Sequence, residues 1–414
     1  MNGKKIHPAI ITVVALLFVW GAWGVVLRFT QGHAGTNYGS YVPWGLWVSG
    51  YIYFVGLSAG AFYLSSLVYL FRIEKLRPIA RPALVVSVIT LVIALICIWF
   101  DLGHMWRFWE IFFRPNFASL MAWMVWLYTL YAMLLVVELW LEMRTDLALL
   151  ARQGGPLAGL YRVLSLGWRV PPGAEGAARA SERSGRWLRI LSGFGIPLAV
   201  AFHGGVGALF AGLLARPYWH TALYPIFFLT GALVSGGALL LAVVALTDVG
   251  DGRESQGMLA LLSKTTLGLL LFDLLLEWAE ISIPAWYRVG QGYDILKTVL
   301  FGDFWYVFWI FHILLGSLIP IILLVWRPAS RLAAGTAGML IAGTFMAVRL
   351  NLVIPGQITP QLEGIQNAYV DSRLMFSYVP SMYEWSVIAF VVALGAILFL
   401  VGRRLLPLAE VSSR

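Results

Sequence analysis

Ten separate stretches of about twenty mostly apolar residues dominate the sequence, near 9–28, 44–71, 82–100, 119–142, 189–214, 221–246, 264–285, 304–326, 332–353 and 383–402. An α-helix rises about 1.5 Å per residue, so roughly 20 residues cross a hydrocarbon core of about 30 Å. In that core a backbone must satisfy its own polar groups, which restricts spanning structures to helices and closed barrels. A barrel would show short alternating segments, so the sequence predicts an all-α, polytopic integral membrane protein of about ten transmembrane helices. Composition excludes the main alternatives: 60% of residues are hydrophobic and 12% charged, against about 25% charged in a soluble domain. A soluble enzyme and a free nucleic-acid binder are ruled out.

The one cysteine, Cys97, lies within an apolar run, so this chain alone supplies no disulfide, iron–sulfur cluster or Cys-ligated zinc. The first apolar run is too long for a signal-peptide core and lacks a small-residue cleavage pattern, so it is expected to stay as a span. Of the 29 Lys and Arg residues, 21 fall in one set of alternate loops and ends and 8 in the other. Basic loops stay on the cytoplasmic side, which places both termini in the cytoplasm and explains the net charge of +9 without an acidic ligand.

An internal repeat suggests how the spans group. The second span carries Tyr51-Ile52-Tyr53-Phe54 followed by Gly56, Ser58, Ala59, Gly60 and Ala61; the sixth carries Tyr224-Pro225-Ile226-Phe227-Phe228 followed by Gly231, Ser235, Gly236, Gly237 and Ala238. Small residues let helices approach closely in lipid. The simplest partition is a four-helix bundle over 1–142, a cytoplasmic Gly/Pro/Arg-rich linker loop over 143–188, a second bundle over 189–326, and two further helices with a cytoplasmic tail over 327–414. The repeat is parallel, whereas inverted repeats are the commoner transporter signature.

Ionisable side chains inside spans are costly and mark function. Asp101 and His104 close the third span, and His203, Glu277, Glu280, His312 and Arg349 all fall in the outer halves of their spans; Asp273 is near mid-depth and Glu138 is the exception toward the cytoplasm. Asp273, Glu277 and Glu280 share one helical face, where three carboxylates repel unless protonated or paired, with Arg349 or His312 as the expected partner. Water-accessible proton transfer at the outer face fits this set; outer-leaflet side chains in structural hydrogen bonds are the alternative. Trp44, Trp47, Tyr51 and Tyr53 read first as an interfacial aromatic belt and second as a pocket wall for a flat ring. Gly56 to Gly60 matches GxxxG, a helix-packing signal. No phosphate-binding loop, dinucleotide fingerprint or nucleophile triad is present.

At the end of the third span the chain reads Asp101-Leu102-Gly103-His104-Met105-Trp106-Arg107-Phe108-Trp109, then Arg114-Pro115-Asn116-Phe117-Ala118-Ser119-Leu120-Met121-Ala122-Trp123. This closely resembles the signature of the NrfD/PsrC family, the quinone-interacting membrane subunits of polysulfide-reductase-like respiratory complexes. Trp44 to Ala61 and Pro217 to Ala238 resemble the family's second and sixth helices. Ten spans and Tyr378-Val379-Pro380-Ser381-Met382-Tyr383-Glu384-Trp385 look most like the HybB and DsrP branch, and the long basic loop with His203-Gly204-Gly205 leans toward DsrP.

The resemblance implies a bacterial or archaeal cytoplasmic membrane and menaquinone or ubiquinone as substrate. A b-type haem needs two axial ligands, and His203 and His312 are the only histidine pair deep in spans; no haem or iron–sulfur cluster is expected in this chain, with that pair as the alternative. The resemblance also implies a ferredoxin-like iron–sulfur subunit on the outer face, with further cytochrome or catalytic subunits of a sulfur-metabolism or hydrogenase complex. Asp101 and His104 are the expected catalytic pair, Asp101 taking or relaying a proton and His104 bonding a quinone carbonyl; Trp44, Trp47, Tyr51 and Trp123 complete the expected quinone site. His203, Asp273, Glu277, Glu280, His312, Arg349 and Glu138 are the expected proton-transfer groups. One departure is that Val13 to Val26 of the first span offers no polar side chain beyond Trp20 and Trp23. A proton-coupled secondary transporter built on Asp273, Glu277, Glu280 and Arg349, or a passive anchor for an oxidoreductase, are the competing readings.

Overall fold

The computed structural model describes residues 8–247, 252–362, 364–369, 371 and 373–408. Residues 1–7 and 409–414, the chain ends expected in the cytoplasm, lie outside that range. Among the described residues ten helices are long and apolar enough to cross a membrane, one for each apolar run. They are α1 (Pro8–Gln31), α2 (Leu46–Phe71), α3 (Arg77–Asp101), α4 (Leu120–Gln153), α5 (Ala174–Ala211), α6 (Tyr224–Leu246), α7 (Gly252–Tyr287), α8 (Val307–Trp326), α9 (Arg331–Val353) and α10 (Met382–Leu405). The protein is an all-helical, polytopic integral membrane protein.

Local chemistry sets the helix ends. Ser381 accepts from the Glu384 N–H while the Glu384 carboxylate accepts from the Ser381 N–H, a reciprocal cap that starts α10. At the other end of the bundle, α2 stops where Arg72 turns to φ 53° and its N–H bonds back to the Val68 carbonyl.

Helices α2 to α5 pack as one ring and α6 to α9 as another, with α2 lying along α6 between them. The principal partner of α1 is α10, which also packs on α3. The four-helix bundles are therefore 2–5 and 6–9, one helix later than the expected 1–4 and 5–8. The reason is the outward face of α1: 11% of its apolar window is buried, against 83% for α2. The matched small residues do join the bundles. A Cβ at Gly60 would fall on the Ala232 carbonyl oxygen, and one at Gly236 on the Gly60 backbone, so only glycine permits this crossing.

The stretch 143–188, expected as a linker loop, is mostly helical. Helix α4 continues to Gln153, a short helix covers Ala158–Leu164, and α5 begins at Ala174. The Arg144 guanidinium lies 4.1 Å from the Trp168 ring centre and 5.0 Å from that of Trp140, and its Nε donates to Ser184 Oγ at 3.0 Å. A hydropathy window misses this because the helices run on beyond their apolar portions.

Candidate functional site

Antiparallel neighbours bring the ends of α1, α3, α5, α7 and α9 and the starts of α2, α6 and α10 to one end of the molecule, opposite residues 8 and 405. Two polar groups are built there, one for each bundle.

The first centres on Asp101, the last residue of α3. Its Oδ1 accepts a 3.2 Å hydrogen bond from the Tyr38 phenol. Arg28, near the end of α1 and 5% exposed, donates from Nε to the Phe100 carbonyl and from an Nη to that of Leu102, both at 2.6 Å. These carbonyls close the last turn of α3 and have no partner within the helix, so Arg28 fixes the backbone that carries Asp101. The His33 ring lies 5.5 Å from the Tyr38 ring and 5.7 Å from the wholly buried Trp47. Trp47 donates from Nε1 to the Glu384 carbonyl at 3.1 Å. The buried Glu384 carboxylate also receives the Tyr378 phenol and the Asn37 N–H, which knots the loop before α10 to the loop after α1.

Burial, followed by the Asp101 and Glu384 carboxylates, holds the Tyr38 phenol well above its ordinary range, so Tyr38 is a donor at all physiological pH. Burial, then the Arg28 charge, pushes the His33 imidazole below its ordinary value. The Asp101 carboxylate, the protonated Tyr38 phenol and the neutral His33 imidazole against the Trp47 indole suit taking a proton from a hydroxyl-bearing ring, while the Glu384 carboxylate is taken up by Tyr378 and two backbone N–H groups.

The second group sits between α7 and α8. His312 Nε2 lies 3.3 Å from Glu277 Oε2. His312 occupies a π-helical segment, Val307–Leu318, in which Ser317 Oγ donates to the His312 carbonyl at 3.0 Å; such widened turns recur at functional sites. A cavity of about 120 Å³ reaches the pair and is also lined by Glu280, Asn351, Tyr218 and Tyr224. Glu280 accepts from Thr221 Oγ1 at 3.2 Å, and Asp273 from Thr230 Oγ1 at 2.7 Å. Both polar atoms of the buried Asn351 side chain lack a hydrogen-bond partner among the described residues.

The family described as polysulphide reductase, NrfD, matches residues 35–361. The chain belongs to this family. It is 35% identical over 407 residues to a selenate reductase subunit of Mesobacillus selenatarsenatis, covering 98% of this chain and 94% of that one. It is 27% identical to an Hdr-like menaquinol oxidoreductase integral membrane subunit of Archaeoglobus fulgidus, over 97% and 93% of the two chains. It is 24% identical to the integral membrane subunit of a menaquinone reductase of Nitratidesulfovibrio vulgaris, over 95% and 91%.

Within this NrfD-family chain the expected site residues separate. Asp101 and Trp47 stand together, but His104 is exposed on the loop after α3 and makes no side-chain hydrogen bond among the described residues. The imidazole in this group is His33, against Tyr38 and Trp47 and 3.4 Å from the Phe100 carbonyl. Trp123 is 50% exposed, its Nε1 bonded to the Phe117 carbonyl, and stands on the surface. Trp44 stacks on Trp219 at 5.6 Å, joining the loop before α2 to the loop before α6, and Tyr51 of α2 packs on Tyr128 of α4, so both belong to aromatic packing contacts.

Of the charged set, His312 is the partner of Glu277. Arg349 is fully buried over the Phe228 and Phe345 rings, with no hydrogen bond to its guanidinium among the described residues. His203, also fully buried, likewise has neither ring nitrogen bonded among them. Glu138 stands apart in the other half of the molecule, accepting from Ser192 Oγ at 3.3 Å.

The residues missed in the sequence are Arg28, His33 and Tyr38, which fall just beyond the apolar core of the first span. The helix runs to Gln31, and this supplies the polar side chain that Val13 to Val26 lacks. Only Glu384 carried a signal, the Ser381-x-x-Glu384 spacing of a capping box.

Proposed function

We propose that this chain is the quinone-interacting membrane subunit of a respiratory oxidoreductase, exchanging electrons between a membrane quinone and an iron–sulfur subunit docked on the outer face. The observation that carries this reading is the Asp101–Tyr38 pair, walled by His33 and Trp47, in a chain whose relatives include menaquinol and menaquinone oxidoreductase subunits. In it Asp101 takes or delivers the quinol hydroxyl proton, Tyr38 orients the carboxylate, and His33 fills the role expected of His104. Electron acceptance is supplied by the partner's cluster.

The outer face is the end that carries both polar groups, consistent with 21 of the 29 basic residues being assigned to the opposite side. Protons then exchange outward, with Glu277 and His312 as the relay and Asp273, Glu280 and Arg349 as neighbours in the second bundle. His203 lies nearer the bundle interface, and Glu138 belongs to a separate inward group.

Asp101→Asn, assayed for quinol-linked electron transfer in membranes, should abolish turnover while the complex still assembles; full activity would sink the assignment. Mild-detergent purification with mass spectrometry should recover an iron–sulfur subunit and reveal whether the catalytic partners belong to sulfur metabolism. A chain purified alone and colourless would favour the transporter reading instead.

A further inference from the structure

At the end of the molecule that holds residues 8 and 405, a cavity of about 360 Å³ opens between the end of α2, the start of α3, the end of α4 and the first part of α5. The function proposed above does not use it. Five arginines and four carboxylates line it, a margin of one positive charge. Its floor is neutralised internally: Arg81 binds Glu142 at 2.9 Å and Asp146 at 2.6 Å. Arg72, Arg186 and Arg189 have no carboxylate at ion-pair distance among the described residues. They come from two different elements and surround one opening. Three buried polar atoms of the lining, Arg189 Nε, Thr145 Oγ1 and the Tyr69 hydroxyl, lack a hydrogen-bond partner among the described residues, and Thr145 is 6% exposed.

A polar chamber with uncommitted guanidiniums and unmet buried donors calls for an acceptor-rich anion. Guanidinium forks match phosphate oxygens bidentately, and a margin of one charge suits a single phosphodiester better than a polyanion. The surroundings fit an acyl-bearing molecule. On α5, Trp187, Ile190 and Phe194 are exposed and form a stripe beside the cavity face that carries Gly185 and Arg189. Basic pockets between spans at the membrane surface take anionic headgroups in this way.

We propose that this cavity binds a single phosphate group, with Arg186 and Arg189 as its principal ligands and Arg72 at the rim. The shared chemistry admits an anionic phospholipid headgroup or free phosphate, and the test separates the two.

The full chain is reconstituted in phosphatidylcholine vesicles containing phosphatidylglycerol, extracted mildly, and retained lipid per chain is read by native mass spectrometry. In parallel, delipidated chain is titrated with inorganic phosphate. Wild type should retain one phosphatidylglycerol in preference to phosphatidylcholine, and Arg186→Gln with Arg189→Gln should weaken retention roughly 20-fold. Gly185→Leu should also displace the lipid with every charge intact, because a Cβ there meets no atom within 4 Å and leucine is the better helix former. Arg152→Gln with Arg162→Gln, basic residues of the same end outside the cavity, should match wild type. Sensitivity of inorganic phosphate binding to the same variants, without lipid retention, would assign the site to free phosphate. Equal retention of both lipids with no phosphate binding overturns the proposal, as does a Gly185→Leu or Arg186/Arg189 variant that behaves like the Arg152/Arg162 control.

Discussion

Tyr38 and Asp101 are 63 residues apart in sequence, yet the phenol of one donates to Oδ1 of the other at 3.2 Å. A loop residue after α1 thereby orients the carboxylate that ends α3. Arg28 holds the same helix end from below, so two residues of the first span and its loop define the geometry of a third-span acid.

Tyr38→Phe removes that orientation and leaves Asp101 in place. Quinol-linked turnover should fall roughly 10- to 100-fold, while stability drops by only about 1 kcal/mol, a typical net hydrogen bond. Membrane turnover and thermal unfolding of the same preparation separate the two effects; unchanged turnover would remove Tyr38 from the site.

Arg28→Lys keeps the charge but cannot reach two carbonyls with a planar fork. One of the two carbonyls at the end of α3 loses its guanidinium donor, and the folded state should lose about 1–3 kcal/mol. A melting temperature equal to wild type in detergent would show that the bonds to Phe100 and Leu102 contribute nothing.

Glu277→Gln should slow turnover at least about tenfold if the Glu277–His312 pair relays protons, with little loss of assembly because glutamine still offers His312 a hydrogen-bonding partner. His312→Ala should give a similar rate. The outcome that counts against a relay is wild-type turnover in both variants.

His33 has its pKa lowered by burial and by Arg28. The unfolded chain therefore takes up this proton at higher pH than the folded one. The stability linked to His33 is complete above the unfolded value of 6.5, and is lost as pH falls through it toward the lower folded value. Melting temperatures of wild type should drop more steeply between about pH 7.5 and 5.5 than those of His33→Gln. Parallel curves for the two proteins would exclude His33 as a source of that slope.

Gly60→Val should separate the bundles, since even a Cβ at this position collides with the Ala232 carbonyl. Overpacking of this kind costs about 1–3 kcal/mol or more. A yield of folded protein well below wild type in size-exclusion chromatography is expected; normal yield and melting would show that α2 and α6 can shift apart freely.

Ten apolar runs became ten helices because spanning a hydrocarbon core admits few solutions: length and apolarity are local properties, written in consecutive residues. The matched small residues of α2 and α6 were equally legible, as was the depth of Asp101, Glu277 and His312, since depth follows from position along a span. What the order of residues could not state was which helix lies beside which. Lipid solvates every apolar helix face, so hydropathy does not distinguish the lipid-facing α1 from the enclosed α2, and the bundles fall at 2–5 and 6–9 only once α1 pairs with α10. The same limit applies to the site. His104 and Asp101 share a motif but point into different surroundings, whereas Tyr38 reaches Asp101 itself and Arg28 and His33 reach the backbone that ends its helix. Tertiary packing decided these partners, because a hydrogen bond depends on separations of a few ångströms in space and none of these pairs is close in the chain.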